Sequence, residues 1–198
     1  AGHGQVEIIR EIAGHILDSY LCGNATDSIT MTDLQAAHDN PDSPLHKAAV
    51  LIFKKDGYSV AFAELLNKPE RPVLRLVDNE KILFIYERFL EYMLALLFFE
   101  RNSRTGENIS AETFTSTIGQ ASAHEVFMGA MRNVLIMDYL ATGKPDTIIA
   151  LSSLEECGFE IMSLATDVMN VMVRENYETE IFSLLGELIE RTGEDCRA

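Results

Sequence analysis

Apolar side chains recur along this chain mostly at helical spacing, and the longest such stretch covers residues 78–100. Within it Glu80, Glu87 and Glu91 share one stripe, while from Tyr92 to Phe99 apolar residues lie all round. A helix apolar on every side is buried on every side. Residues 80–100 are therefore expected to form the central buried helix of an all-α helical bundle, with Asp78 as its N-cap. Upstream, Val6, Ile9, Ala13, Ile16, Leu17 and Tyr20 repeat with a period of 3.6 and predict a helix over 5–21 that Gly23 ends. Thr32-Asp33-Leu34-Gln35 has the order of a capping box and predicts a short helix over 33–38. Ser43-Pro44 supplies an N-cap and a first-turn proline for a helix to about Lys55, closed by Gly57. Residues 58–66 mix strand-like alternation with helix formers, so two readings stand: a helix, or a small β-hairpin within 58–77.

Beyond Glu100, residues 102–108 are polar, contain Gly106 and read as a loop suited to motion. A short helix from Ser110 is interrupted by Gly119. Ser122-Ala123-His124-Glu125 is a second capping box, opening a helix to about Ala141 that Gly143-Lys144-Pro145 ends. Asp146 caps a helix expected to run past Gly158 to Arg174, and 178–191 form the last helix. The chain thus reads as an N-terminal helical unit, 1–77, and a helical bundle, 78–198, packed as one globular unit.

Charge changes this picture more than composition does. Of the 198 residues 47% are hydrophobic, enough for a sizeable core, but the net charge is −15. Residues 151–198 alone hold 3 basic and 11 acidic side chains. That balance disfavours a protein whose whole surface coats nucleic acid or an anionic membrane. Residues 43–77 run the other way, with 6 basic against 3 acidic side chains. The three cysteines, Cys22, Cys157 and Cys196, form no disulfide framework and no zinc ribbon, and suit reduced thiols. The first residues lack the basic region and apolar run of a signal peptide, so a cytoplasmic location is expected.

Candidate chemistry is sparse. The chain has no Gly-x-Ser-x-Gly, no Walker loop and no Gly-x-Gly-x-x-Gly, and its glutamates lack the Glu-x-x-His spacing of a di-iron bundle. No catalytic residue and no cofactor is expected. The basic island gives the candidate DNA contacts: His46, Lys47, Lys54, Lys55, Lys68, Arg71 and Arg75. A short helix, a turn, a second helix and a hairpin over 32–77 would be the outline of a helix-turn-helix with a wing. Met162, Met169 and Met172 sit on acidic C-terminal helices, and methionine adapts to partners, so they mark a candidate surface for a protein partner or a second copy of the chain.

Two resemblances follow from these residues. His38-Asp39, with His46 nearby, resembles the HD family of metal-dependent phosphohydrolases, in which such a pair holds metal ions that activate water. The resemblance implies His38, Asp39 and His46 as metal ligands, His3 or His15 as the upstream ligand and Asp138 as the distal one. The chain departs from that family in having Gln35-Ala36-Ala37 before the pair and Asn40-Pro41 after it. The overall layout is similar to TetR-type regulators, although their tight Ala-Gly turn and Tyr-x-x-Phe segment are absent. Three functions are therefore expected in this order: a non-catalytic regulatory or adaptor protein acting through protein contact or self-association, a helix-turn-helix DNA-binding regulator, and an HD-type phosphohydrolase.

Overall fold

The computed structural model describes residues 2–24, 26–55, 57–67, 72–121, 124–144, 146–152 and 168. The chain divides into two compact units, Ala1–Phe98 and Phe99–Ala198. Among the described residues it is mostly helical, with a small antiparallel sheet.

The first unit begins with α1 (Gly2–Leu21). Its stripe of Ile8, Ile12, Ala13, Ile16 and Leu17 is fully enclosed, whereas Val6 faces out. Gly23, at φ +74°, ends the helix by donating its N–H to Tyr20 O at 3.0 Å, a left-handed turn that glycine makes without steric cost. Strand β1 (Ser28–Thr30) leads straight into α2 (Met31–His38). Thr30 caps α2: its Oγ1 accepts from Asp33 N at 3.0 Å and donates to Asp33 Oδ2 at 2.5 Å. The capping box thus lies two residues before the expected Thr32. Helix α3 (His46–Ile52) follows the Ser43-Pro44 turn and stops three residues short of Lys55. Phe53 is extended, and β2 (Phe53–Lys54) pairs with β3 (Gly57–Tyr58) in a two-residue hairpin. Gly57, at φ +135°, makes that return possible.

Ser59 then caps α4 (Val60–Asn67), accepting from Phe62 N at 3.2 Å. Two longer strands follow, β4 (Leu74–Val77) and β5 (Lys81–Phe84), in a sheet of order β1-β5-β4. Leu74 and Ile82 turn into the core with Ile29, while Arg75 and Lys81 are exposed on the alternate positions. Helices α1, α3 and α4 pack together over Ile52 and Phe62. Burying a side chain of this size contributes roughly 1.5–3 kcal/mol.

Helix α5 (Glu87–Asn102) spans the division between the units. In the second unit α6 (Ala111–Ala121) packs on α7 (Glu125–Thr142) and on α8 (Asp146–Ser152) around Phe114, Ile118, Phe127 and Val134. Gly143, at φ +68°, ends α7 as expected. Its N-cap is His124, and Ser122, the expected cap, lies outside the described residues.

The expected central helix over 80–100 is corrected at its first half. Asp78 and Asn79 have φ of +53° and +56°, the left-handed region that Asp and Asn tolerate better than other non-glycine residues. They turn the chain from β4 into β5, with Glu80 N donating to Val77 O at 2.9 Å. Asp78 is therefore a hairpin residue and not a cap. Strand pairing on both sides of β5 and burial of Ile82 outweigh the helical spacing of the glutamates. The second half is helical but not buried all round. Leu94, Ala95 and Phe98 are enclosed, Leu96 and Phe99 are half-buried, and Tyr92 is 49% exposed. Glu91, expected on the wet stripe, is buried, with Arg88 Nη1 at 3.4 Å from Oε2. The hairpin expected within 58–77 does not form, because Tyr58 pairs with Phe53 and residues 74–77 pair with β5.

Candidate functional site

The described residues of the basic island lie on more than one element. Lys47 lies on α3, where its ammonium donates to Glu11 of α1, and that hydrogen bond with the carboxylate raises the Lys47 pKa. His46 Nδ1 lies 2.9 Å from Ala37 O, which ties the ring to the end of α2. Lys54 and Lys55 are exposed on the β2–β3 hairpin, and Arg75 is exposed on β4. Lys68 and Arg71 lie outside the described residues. The candidate contacts thus spread over a helix, a two-residue hairpin and a sheet.

The β2–β3 hairpin also carries aromatic rings that sequence spacing does not reveal. Tyr58 stands edge-on to Phe62, with ring centroids 5.2 Å apart, and Phe53 takes the edge of His38 at 5.8 Å. Tyr58 is 45% exposed, and Val60, just after it, is 76% exposed. Alternation at Tyr58, Val60 and Phe62 was the available signal, but it could not say which of the three the core would take.

Within the first unit, the described residues named by the HD resemblance are not assembled into a metal centre. His38 Nδ1 approaches its own neighbour, Asp39 Oδ1, at 3.2 Å, and both side chains are open to solvent. His46 turns to the Ala37 carbonyl instead of toward them. His15 is half-buried on α1; burial lowers its pKa below the ordinary 6.5, against the opposing charges of Asp18 and Asp33. Among the described residues no group of three or more His, Cys, Asp or Glu side chains could hold a metal ion. The side chain of His3 lies outside the described ones.

Asp138 has a different task from the one the resemblance implies. It is 1% exposed on α7, and its Oδ1 accepts from the backbone of Ile109 at 2.8 Å. Its Oδ2 accepts from Asn108 Nδ2 and Thr147 Oγ1, both at 2.7 Å. Asn108 Nδ2 also reaches Thr142 Oγ1 and Lys144 O. One carboxylate therefore joins the loop before α6 to the end of α7 and the start of α8. A buried carboxylate is tolerated because its oxygens are met by donors. The loop over 102–108, expected to suit motion, is held by this network and by the Arg104–Glu107 bridge.

Met162, Met169 and Met172 lie outside the described residues, as do the helix expected over 178–191 and, Val168 apart, the part beyond Ser152 of the helix expected from Asp146 to Arg174. Val168, between them, is buried. No helix among the described residues is long and apolar enough to cross a membrane. The chain matches no protein-family model, and no curated protein or solved structure shows significant similarity to it.

Proposed function

We propose that this is a non-catalytic regulatory or adaptor protein that acts through contact with a protein partner or with a second copy of itself. Apart from the β2–β3 hairpin between α3 and α4, the first unit follows the order of a winged helix-turn-helix: helix, strand, helices, then two strands that return beside the first strand, in the order β1-β5-β4. In such a module the helix before the second strand and the hairpin tip lie nearest to a bound duplex. Here that helix is α4, Val60–Asn67, which has no cation and carries Glu64. The hairpin tip is Asp78-Asn79-Glu80, all exposed. The observation that carries the reading is this chemistry: an α4 without a cation, whose Glu64 is taken up by Gln5 of α1, exposed acid at the hairpin tip, and exposed Val60 at the head of α4. Phosphate binding needs cations that release counterions, and a carboxylate there is repulsive. The same surface suits contact with protein.

DNA binding is the second reading, favoured by the strand order and by exposed Lys54, Lys55 and Arg75. One pair of measurements separates the two. Sedimentation of the full chain over a concentration series should show association that Val60→Glu weakens. Fluorescence anisotropy with a labelled duplex at low salt should show no saturable binding. A chain that stays monomeric and binds the duplex, with affinity lost on substituting Lys54 and Lys55 by Ala, would reverse the order.

A further inference from the structure

We propose that the cleft between the end of α5 and the start of α6 is a binding site for a small phosphomonoester. It has a volume of about 390 Å³, and every residue that lines it is polar or charged. That volume falls at the small end of the roughly 300–1,000 Å³ found for ligand pockets, whose walls are usually apolar. A polar wall of this kind suits a strongly hydrated ligand.

The charge of the cleft gives the ligand's sign. Arg101 and Arg104 line it against one carboxylate, Glu107, in a chain whose net charge is −15. Guanidinium groups present planar forks of donors that match phosphate oxygens, which an ammonium cannot do. Ser110 and Thr113 line it as well. They belong to the first turn of α6, an 11-residue helix, where Ser110 Oγ accepts from Thr113 N at 3.2 Å. The positive end of that helix adds to the attraction of the arginines for an anion. Glu107 would repel a bare phosphate, but it can accept from hydroxyl groups on the carbon skeleton of a phosphomonoester.

The turn that carries Arg104 and Glu107, and Asn108 after it, are also fixed in advance. Gly106, at φ +76°, and the Glu107 N to Arg104 O bond of 3.1 Å close a tight turn between the two charged side chains. Asn108, the next residue on the wall, is held by Asp138, Thr142 and Lys144. A site ordered before binding avoids the entropy of ordering it later.

Calorimetric titration of the full chain with inorganic phosphate and with glycerol 3-phosphate tests the assignment. Both probes should give saturable heats at one site, with glycerol 3-phosphate the tighter. Arg104→Gln and Arg101→Gln should each weaken it by about tenfold or more. Glu107→Gln should narrow the difference between the probes. Melting of each variant alongside distinguishes lost binding from lost fold. Absence of saturable heat with either probe, or binding unaffected by both arginine substitutions, would overturn the site. Equal affinity for the two probes would overturn the phosphomonoester.

Discussion

Asp138 shows what a single side chain can do once its partners arrive from elsewhere in the chain. Three donors converge on its carboxylate, from Asn108, Ile109 and Thr147; without it Asn108 Nδ2 keeps Thr142 Oγ1 and Lys144 O, Thr147 Oγ1 keeps Ile109 O, and the Ile109 N–H is left unmet. An orphaned buried donor costs about 1–3 kcal/mol, so Asp138→Ala should lower the unfolding free energy by about that much. Urea denaturation measures it, and a loss under about 0.5 kcal/mol, the range of an ordinary surface substitution, would show that the network does not hold the loop. Tyr20 also depends on residues distant in sequence. Burial, with the charges of Asp27 and Glu87, pushes its hydroxyl up to about 12. The apolar stripe of α1 placed Tyr20 in the core without its neighbours. Nothing near Asp138 in sequence indicated that Asn108 and Thr147 would meet it.

At the scale of elements, caps and turns decided where helices begin and strands reverse. The box pattern at Thr32 placed the start of α2 two residues after its cap, Thr30. Thr30 takes the role because it ends β1, and the backbone N–H of Met31 then donates to Glu80 O in the neighbouring hairpin turn at 2.6 Å. Thr30→Ala should therefore cost about 1 kcal/mol, the usual loss of a side-chain cap. Thr32→Ala, at an exposed position, should leave stability nearly unchanged. Thermal melts of the two variants compare them directly, and equal losses would contradict the assignment of the cap. The helical spacing of Glu80, Glu87 and Glu91 failed for a related reason. Periodicity cannot register that Asp78-Asn79 is also turn chemistry, and the sheet partner that makes the turn worthwhile lies some fifty residues earlier, at 28–30.

Across the whole molecule, residues 92–99 remain the best place to test the core, although the burial is one-sided. Leu94 is fully enclosed and Tyr92 is 49% exposed. Leu94→Asp should abolish the cooperative thermal transition, because an unpaired carboxylate would be buried. Tyr92→Asp should keep it. Retention of the transition in Leu94→Asp would remove this segment from the core. Leu96, central to an all-round apolar reading, is only half-buried and is the weaker probe. The sequence by itself determined the mostly helical class, α1 with its terminating glycine and the end of α7. These follow from local backbone preference and from periodic burial, which a short window contains. Only the tertiary structure decided that residues 74–84 form a hairpin on β1, that Phe53 pairs with Tyr58 ahead of α4, and that Arg101 and Arg104 share a cleft with the start of α6. Each of those outcomes depends on pairing or enclosure between segments, and the free energy that selects them exists only once the segments have met.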